Sequence, residues 1–230
     1  MSQANVDYIL KHNHEIDPSK VKVCPNSIDV VDKTISDFEK ENIRRQYNLP
    51  LNKKIFIYGG NLGKPQGIDF MIQCLEVCKD LNNVFFLIVG SGTEYYKIEE
   101  YIKNSLQTNV RLMKSISKSD YDTLLMACDC GLIFLDHRFT IPNFPSRLLY
   151  YMQAKIPILA VTDRNTDVGK VIVDGDLGWW IISDDTNKFR AKVIEVINNN
   201  IKYKGMNAWE YLQNNYTVNI SYNTINKNYT

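Results

Sequence analysis

The chain reads as an α/β protein: a doubly wound parallel sheet, Rossmann-like, with helices added at its C-terminal end. Three observations predict it. Six to seven apolar runs alternate with helical patterns along 230 residues, which is the order of a parallel sheet covered on both faces. Most of those runs are apolar throughout instead of alternating, as strands buried on both sides are. Several runs end in Gly, Pro or Ser and pass directly into helical periodicity, which puts those turns at the carboxyl edge of the sheet, where open α/β folds bind ligands.

Taken in order, residues 1–20 read as a short helix and a polar loop, and 21–24 (Val-Lys-Val-Cys) as a first β-like run. The runs 55–58, 84–89 and 110–113 follow, rich in Val, Ile and Phe. Between and after them, 68–81, 94–104 and 119–128 carry apolar residues at helical spacing. Ser117 and Asp120, three apart and ahead of Tyr121, Leu124 and Leu125, form a capping box, so a helix starts there. The second half repeats the scheme with runs 131–135, 158–161 and 179–182 and helices 146–154, 166–173 and 186–199. The tail from Gly205 is helical in its first half, with Trp209 and Tyr211 offering apolar surface. Its last fifteen residues, rich in Asn, Tyr and Thr, are expected to be weakly anchored.

The 27 basic and 26 acidic residues leave a net charge of +1, so no global field recruits nucleic acid or an anionic membrane, and an anion must be bound locally. No stretch approaches the ~20 apolar residues of a membrane span, and the N-terminus lacks the build of a signal peptide, so a cytoplasmic protein is expected. Five cysteines are too few and oddly numbered for a disulfide framework. Cys74 and Cys78 share a helix face and Cys128 and Cys130 enter a strand; neither pair has zinc-site spacing, so no metal is expected. His12 and His14 read as solvated, whereas His137 lies in the loop that leads to residues 142–147.

Two segments carry the chemistry. The loop from Tyr58 to Gly67 places Gly59, Gly60, Gly63 and Gly67 around Lys64 between a strand and a helix; glycines let backbone N–H groups approach a ligand and the helix start adds positive potential. A plain strand-to-helix turn has the same composition. The segment from Pro142 to Tyr151 puts Ser146 at an N-cap and Arg147 in the first turn, where the helix dipole disfavours a cation. Either a bidentate phosphate contact or an ion pair, for instance with Asp136, would account for it. With Lys64 and Arg147 facing one cleft, the expected ligand is a diphosphate. Val89-Gly90-Ser91-Gly92 is a further strand end where a nucleotide could approach, and it is neither a dinucleotide fingerprint nor a Walker loop. After the 110–113 run, Lys114 and Ile116 lie in a loop whose backbone could read the edge of a base, with Ile116 against its face; a routine connection is the alternative.

In this combination the chain resembles the C-terminal, nucleotide-sugar-binding half of retaining GT-B glycosyltransferases of family four, in the branch that builds bacterial capsule and O-antigen polysaccharides. The resemblance runs from Val21-Lys22-Val23-Cys24-Pro25-Asn26-Ser27-Ile28-Asp29 to about Trp209. It implies that Gly60, Asn61, Gly63 and Lys64 cradle the donor diphosphate, that Gly90, Ser91 and Gly92 line the nucleotide, and that Lys114 and Ile116 hold the base. Asn143, Ser146 and Arg147 would face the donor sugar and phosphates, with Lys64 and Arg147 stabilising the leaving group. The chain departs from the family pattern at Pro142 and Tyr150, where two glutamates are usual; Tyr150 stands at the ribose-binding position. It also departs at Gly60-Asn61-Leu62 with Gln66-Gly67, and at Lys155 in place of a turn glycine.

The resemblance divides the chain into 1–20 (the end of a preceding acceptor domain), 21–204 (the nucleotide-sugar domain) and 205–230 (a helical tail). It implies a retaining hexosyltransferase that acts with a missing N-terminal half, without cofactor, on a nucleoside-diphosphate sugar. No nucleic acid partner is expected, and the full-length enzyme would sit in the cytoplasm or peripherally at the inner face of the membrane. A catalytically inactive binding or scaffold domain is the alternative that the missing glutamates raise. An epimerase would need carboxylate and histidine groups that the cleft segments do not supply.

Overall fold

A computed structural model describes residues 1–105 and 107–227. Six strands form one all-parallel sheet: β1 (Lys54–Asn61), β2 (Val84–Ser91), β3 (Val110–Met113), β4 (Cys130–Phe134), β5 (Ile158–Thr162) and β6 (Gly178–Ile182). Their order, β3-β2-β1-β4-β5-β6, is that of a doubly wound fold whose direction of winding reverses between β1 and β4. The register of β1 on β2 runs from Lys54 opposite Val84 to Asn61 opposite Ser91, so the two strands end together at the carboxyl edge.

Successive strand residues point to opposite faces, and this divides the core in two. Ile55, Ile57, Leu87, Ile133 and Ala160 pack under α5 (Lys118–Met126), α6 (Arg147–Gln153), α7 (Val168–Asp174) and α9 (Lys202–Asn215). Phe56, Tyr58, Phe86, Leu132 and Val161 pack under α3 (Ile68–Glu76), α4 (Tyr95–Ser105) and α8 (Thr186–Asn198). Helices α1 (Gln3–His12), α2 (Asp37–Gln46) and α10 (Val218–Asn226) lie outside the βα repeat.

The structure differs from the expectation in four places. The 21–24 run forms no strand: an isolated run needs a free sheet edge, Pro25 brings no N–H, and the segment's contact of β type is the later bridge between Ile28 and Thr217. Helix α2 appears where no helix was expected, started by Ser36, whose hydroxyl accepts from Glu39 N while Glu39 accepts from Ser36 N, a reciprocal cap. Helix α3 ends at Glu76, short of Leu81, in a run of turns. The tail is held: Thr217 caps α10, Ser221 Oγ donates to Pro25 O at 3.0 Å, and Ile28 N donates to Tyr216 O at 3.1 Å. Its last three residues, 228–230, lie outside the described residues.

Four of the five cysteines are buried and all are free; burial pushes the Cys78 thiol up to about 12 and raises those of Cys74, Cys128 and Cys130, so these are inert apolar fillers. Among the described residues no three His, Cys, Asp or Glu side chains gather as a metal set, and no helix is long and apolar enough to cross a membrane.

Candidate nucleotide-binding cleft

The ends of β1 and β2, the start of α5 and the start of α6 enclose a cleft of about 500 Å³. Its floor is the glycine pair Gly59-Gly60 at the carboxyl end of β1. Gly60 has φ +128°, a backbone state that side chains rarely adopt, and a Cβ there would stand 3.2 Å from Arg147 Nη2. A Cβ on Gly59 would overlap the Tyr121 hydroxyl at 1.8 Å. The glycine pair therefore makes room for a guanidinium on one side and a phenol on the other.

Arg147 extends from the first turn of α6 and stacks its guanidinium 4.4 Å over the Tyr58 ring. Stacking satisfies the flat face of the ion and leaves its N–H edges for something else. Nη1 is buried without a hydrogen-bond partner, and so is the Tyr121 hydroxyl. Burial raises the Tyr121 phenol far above its ordinary range, so it stays a neutral donor. Two buried, unsatisfied donors beside the glycine pair at the strand end are costly in a structure without a ligand and suited to one that accepts hydrogen bonds. The ion pair with Asp136 does not form: Asp136 is engaged by Arg138, at 2.9 Å and 2.6 Å.

Of the residues singled out in the sequence, Gly60, Asn61, Gly90, Ile116, Ser146, Tyr150 and Arg147 line this cleft. Lys64 does not. It is exposed on the far side of the β1–α3 loop and lines a separate, wider groove of about 900 Å³ with Asp69, Arg138 and Phe139. The physical reason is the buried Gln66, which accepts from Asn61 Nδ2 at 3.1 Å and from Gly63 N at 3.2 Å and so folds the loop back on itself between the two depressions. That arrangement also spends the Asn61 amide within the loop. Gly90 and Gly92 serve close packing, since a Cβ on Gly90 would meet Gly60 O at 2.0 Å and one on Gly92 would meet Leu62 O at 2.3 Å. Ser91 and Lys114 are exposed at the rim, Ser91 accepting from the Ser115 hydroxyl at 3.1 Å. Asn143 holds the loop from behind through its carbonyl, which accepts from Thr166 Oγ1 at 2.8 Å. Ser146 occupies the N-cap position of α6 without a side-chain cap bond.

Tyr58, Lys118, Tyr121 and Asp122 also belong to the site and were not singled out in the sequence. Three of them sit in the first turns of α5, and the Ser117 cap marks that start; a helix that begins at the carboxyl edge of the sheet has its first turn at the ligand crevice. Lys155, in place of a turn glycine, adopts φ +56° and uses its ammonium on Asp32 at 2.7 Å and on the Trp209 ring at 4.7 Å.

The architecture is the Rossmann-like half of a GT-B glycosyltransferase. Residues 39–211 match the family described as Glycosyl transferases group 1, and the chain belongs to that family. The "Probable glycosyltransferase WbjE" of Pseudomonas aeruginosa is 24% identical over 176 residues, covering 76% of this chain and 44% of WbjE. The "Putative colanic acid biosynthesis glycosyl transferase WcaI" of Escherichia coli K12 is 28% identical over 140 residues, covering 60% of this chain and 33% of WcaI. Among solved structures, Anabaena HepE in complex with UDP and glucose superposes with a TM-score of 0.82 at 18% identity, covering 100% of this chain and 61% of that one. The chain thus spans less than half the length of these curated relatives.

Proposed function

We propose that the chain is the donor-binding half of a family-four retaining glycosyltransferase that moves a hexose-type sugar from a nucleoside diphosphate to a saccharide or lipid-linked acceptor of a bacterial surface polysaccharide. The observation that carries this reading is the unpartnered Arg147 Nη1 beside the Gly59-Gly60 pair at the end of β1. A diphosphate seated at that strand end accepts from Arg147 and from backbone N–H groups, and the charge that develops on the leaving group is met by a cation already in place. Ile116 and Tyr150 supply the flat apolar walls that a base and ribose need. No metal or other cofactor is assigned a role.

The relatives' place in polysaccharide synthesis and the bound UDP and glucose of HepE support the substrate class. The share of the relatives that this chain covers supports a reading in which an N-terminal half brings the acceptor and closes the cleft, without which the isolated domain binds donor and does not turn it over. On that reading the complete enzyme works in the cytoplasm, at the inner face of the membrane. Titration calorimetry of the 230-residue chain with UDP, GDP, ADP and TDP tests the core of the proposal: one of the four binds, and Arg147→Ala weakens it by about 1–3 kcal/mol. Equal affinity for wild type and variant removes Arg147 from the site.

A second reading rests on Pro142 and Tyr150, which replace the glutamates that the family resemblance implies: an inactive nucleotide-sugar-binding domain docked to a partner. Donor hydrolysis by the full-length protein separates the two, because only an enzyme releases free sugar.

A further inference from the structure

Tyr150 stands at the position where the family resemblance implies a carboxylate for the ribose hydroxyls, and a phenol cannot accept two hydrogen bonds from a vicinal diol as a carboxylate does. The structure offers a replacement one helix away. Lys118, Tyr121 and Asp122 fall at i, i+3 and i+4 of α5 and therefore share one face, and all three line the cleft together with Tyr150. Lys118 reaches 5.6 Å over the Tyr150 ring, which sets this face of α5 directly against the residue at the ribose position. Asp122 is the one acidic residue among those lining the cleft. Its side chain is 16% exposed; Oδ2 takes the Lys33 ammonium at 2.8 Å, while Oδ1 has no hydrogen bond among the described residues and both of its lone pairs are open to a diol.

The geometry points to Asp122 as the carboxylate that binds the ribose hydroxyls of the nucleotide, transferred from α6 to α5. The ion pair with Lys33 occupies Oδ2 and leaves Oδ1 to the ribose, and Tyr150 becomes an apolar wall for the sugar ring. This inference rests on the nucleotide-sugar reading above and adds to it the residue that reads the ribose.

The test uses the 230-residue chain, the nucleoside diphosphate it binds most tightly of UDP, GDP, ADP and TDP, and the 2′,3′-dideoxy form of that ligand, by titration calorimetry. Wild type is expected to prefer the hydroxylated ligand by about tenfold, the loss of hydrogen bonds to a charged group. Asp122→Asn should lower affinity for the hydroxylated ligand about tenfold and leave the dideoxy affinity unchanged, so that the preference vanishes. Lys33→Met removes the same ion pair but keeps the carboxylate, and it should retain the preference, which a purely structural role for Asp122 would not allow. A preference that is the same in Asp122→Asn as in wild type, or one lost equally in Lys33→Met, overturns the assignment while leaving the diphosphate site standing. If the wild-type chain binds none of the four nucleotides, the donor reading and this inference fall together.

Discussion

Two arginines, Arg44 and Arg147, are drawn into the protein for opposite ends. Arg44, on α2, is 6% exposed and every arm is used: Nε donates to Ala127 O at 2.9 Å, Nη1 to carbonyls that include Lys53 O at 3.2 Å, and Nη2 to Asp129 Oδ2 at 2.7 Å. Asp129 in turn accepts from Lys40 at 2.7 Å and from Ile55 N at 2.8 Å, which ties α2 to the amino end of the sheet. Burial alone would raise the Asp129 carboxyl, but Lys40 and Arg44 hold it below its ordinary value. Arg147, at the carboxyl end, has a ring under its flat face and no partner for Nη1. A buried cation with all donors satisfied holds a fold together; one left partly unsatisfied beside a cleft has a donor free for a ligand.

Breaking the saturated site should cost most. Asp129→Ala leaves Arg44 as a buried, uncompensated charge, and a loss of about 3–5 kcal/mol is expected in urea unfolding. Because the folded-state carboxyl is depressed, the stability it contributes is present above the ordinary carboxylate range and fades as pH falls through the folded value; the variant should lose that acid dependence. Arg147→Ala should behave in the reverse way, with nucleotide affinity falling by about 1–3 kcal/mol and little change in the urea midpoint. If Arg147→Ala unfolds the chain as Asp129→Ala does, the contrast collapses.

Tyr121→Phe sharpens the contrast further. Removal of an unpartnered buried hydroxyl should raise stability by about 1 kcal/mol in the ligand-free chain, as read by thermal unfolding. The smallest expected effect belongs to Lys155→Gly. It relieves a left-handed backbone cost of about 1 kcal/mol and gives up the contact with Asp32, whose carboxyl Lys155 holds down to about 2. That contact stabilises above the ordinary carboxylate range and is lost as pH falls through about 2, so the balance should shift in favour of glycine as the solution is made more acid.

The strands were legible because burial on both faces writes itself as unbroken apolar runs: five of the six observed strands contain the expected residues entirely, and β4 is offset by one position at each end. Helix α2 was legible in principle from Ser36 and Glu39, but its apolar content is so low that periodicity gave no signal. The 21–24 run failed for the opposite reason, since a β-like composition says nothing about whether an edge is free to pair. In the site, the Gly59-Gly60 pair and Arg147 were visible as a strand end and as a cation misplaced for its helix dipole. The α5 face was not, because Lys118, Tyr121 and Asp122 are ordinary residues of a capped helix until another helix stands opposite them.

The sequence by itself determined the parallel α/β class, the turns at the carboxyl edge and the family, all of which follow from local pattern and from the order of elements along the chain. Only the tertiary structure decided that Lys64 and Arg147 lie in different depressions, that Gly90 and Gly92 are required by packing, and that Asp122 of α5 lines the same cleft as Tyr150. Those outcomes depend on which way a loop folds and which helices meet, and distances between residues far apart in sequence are set by packing, not by propensity.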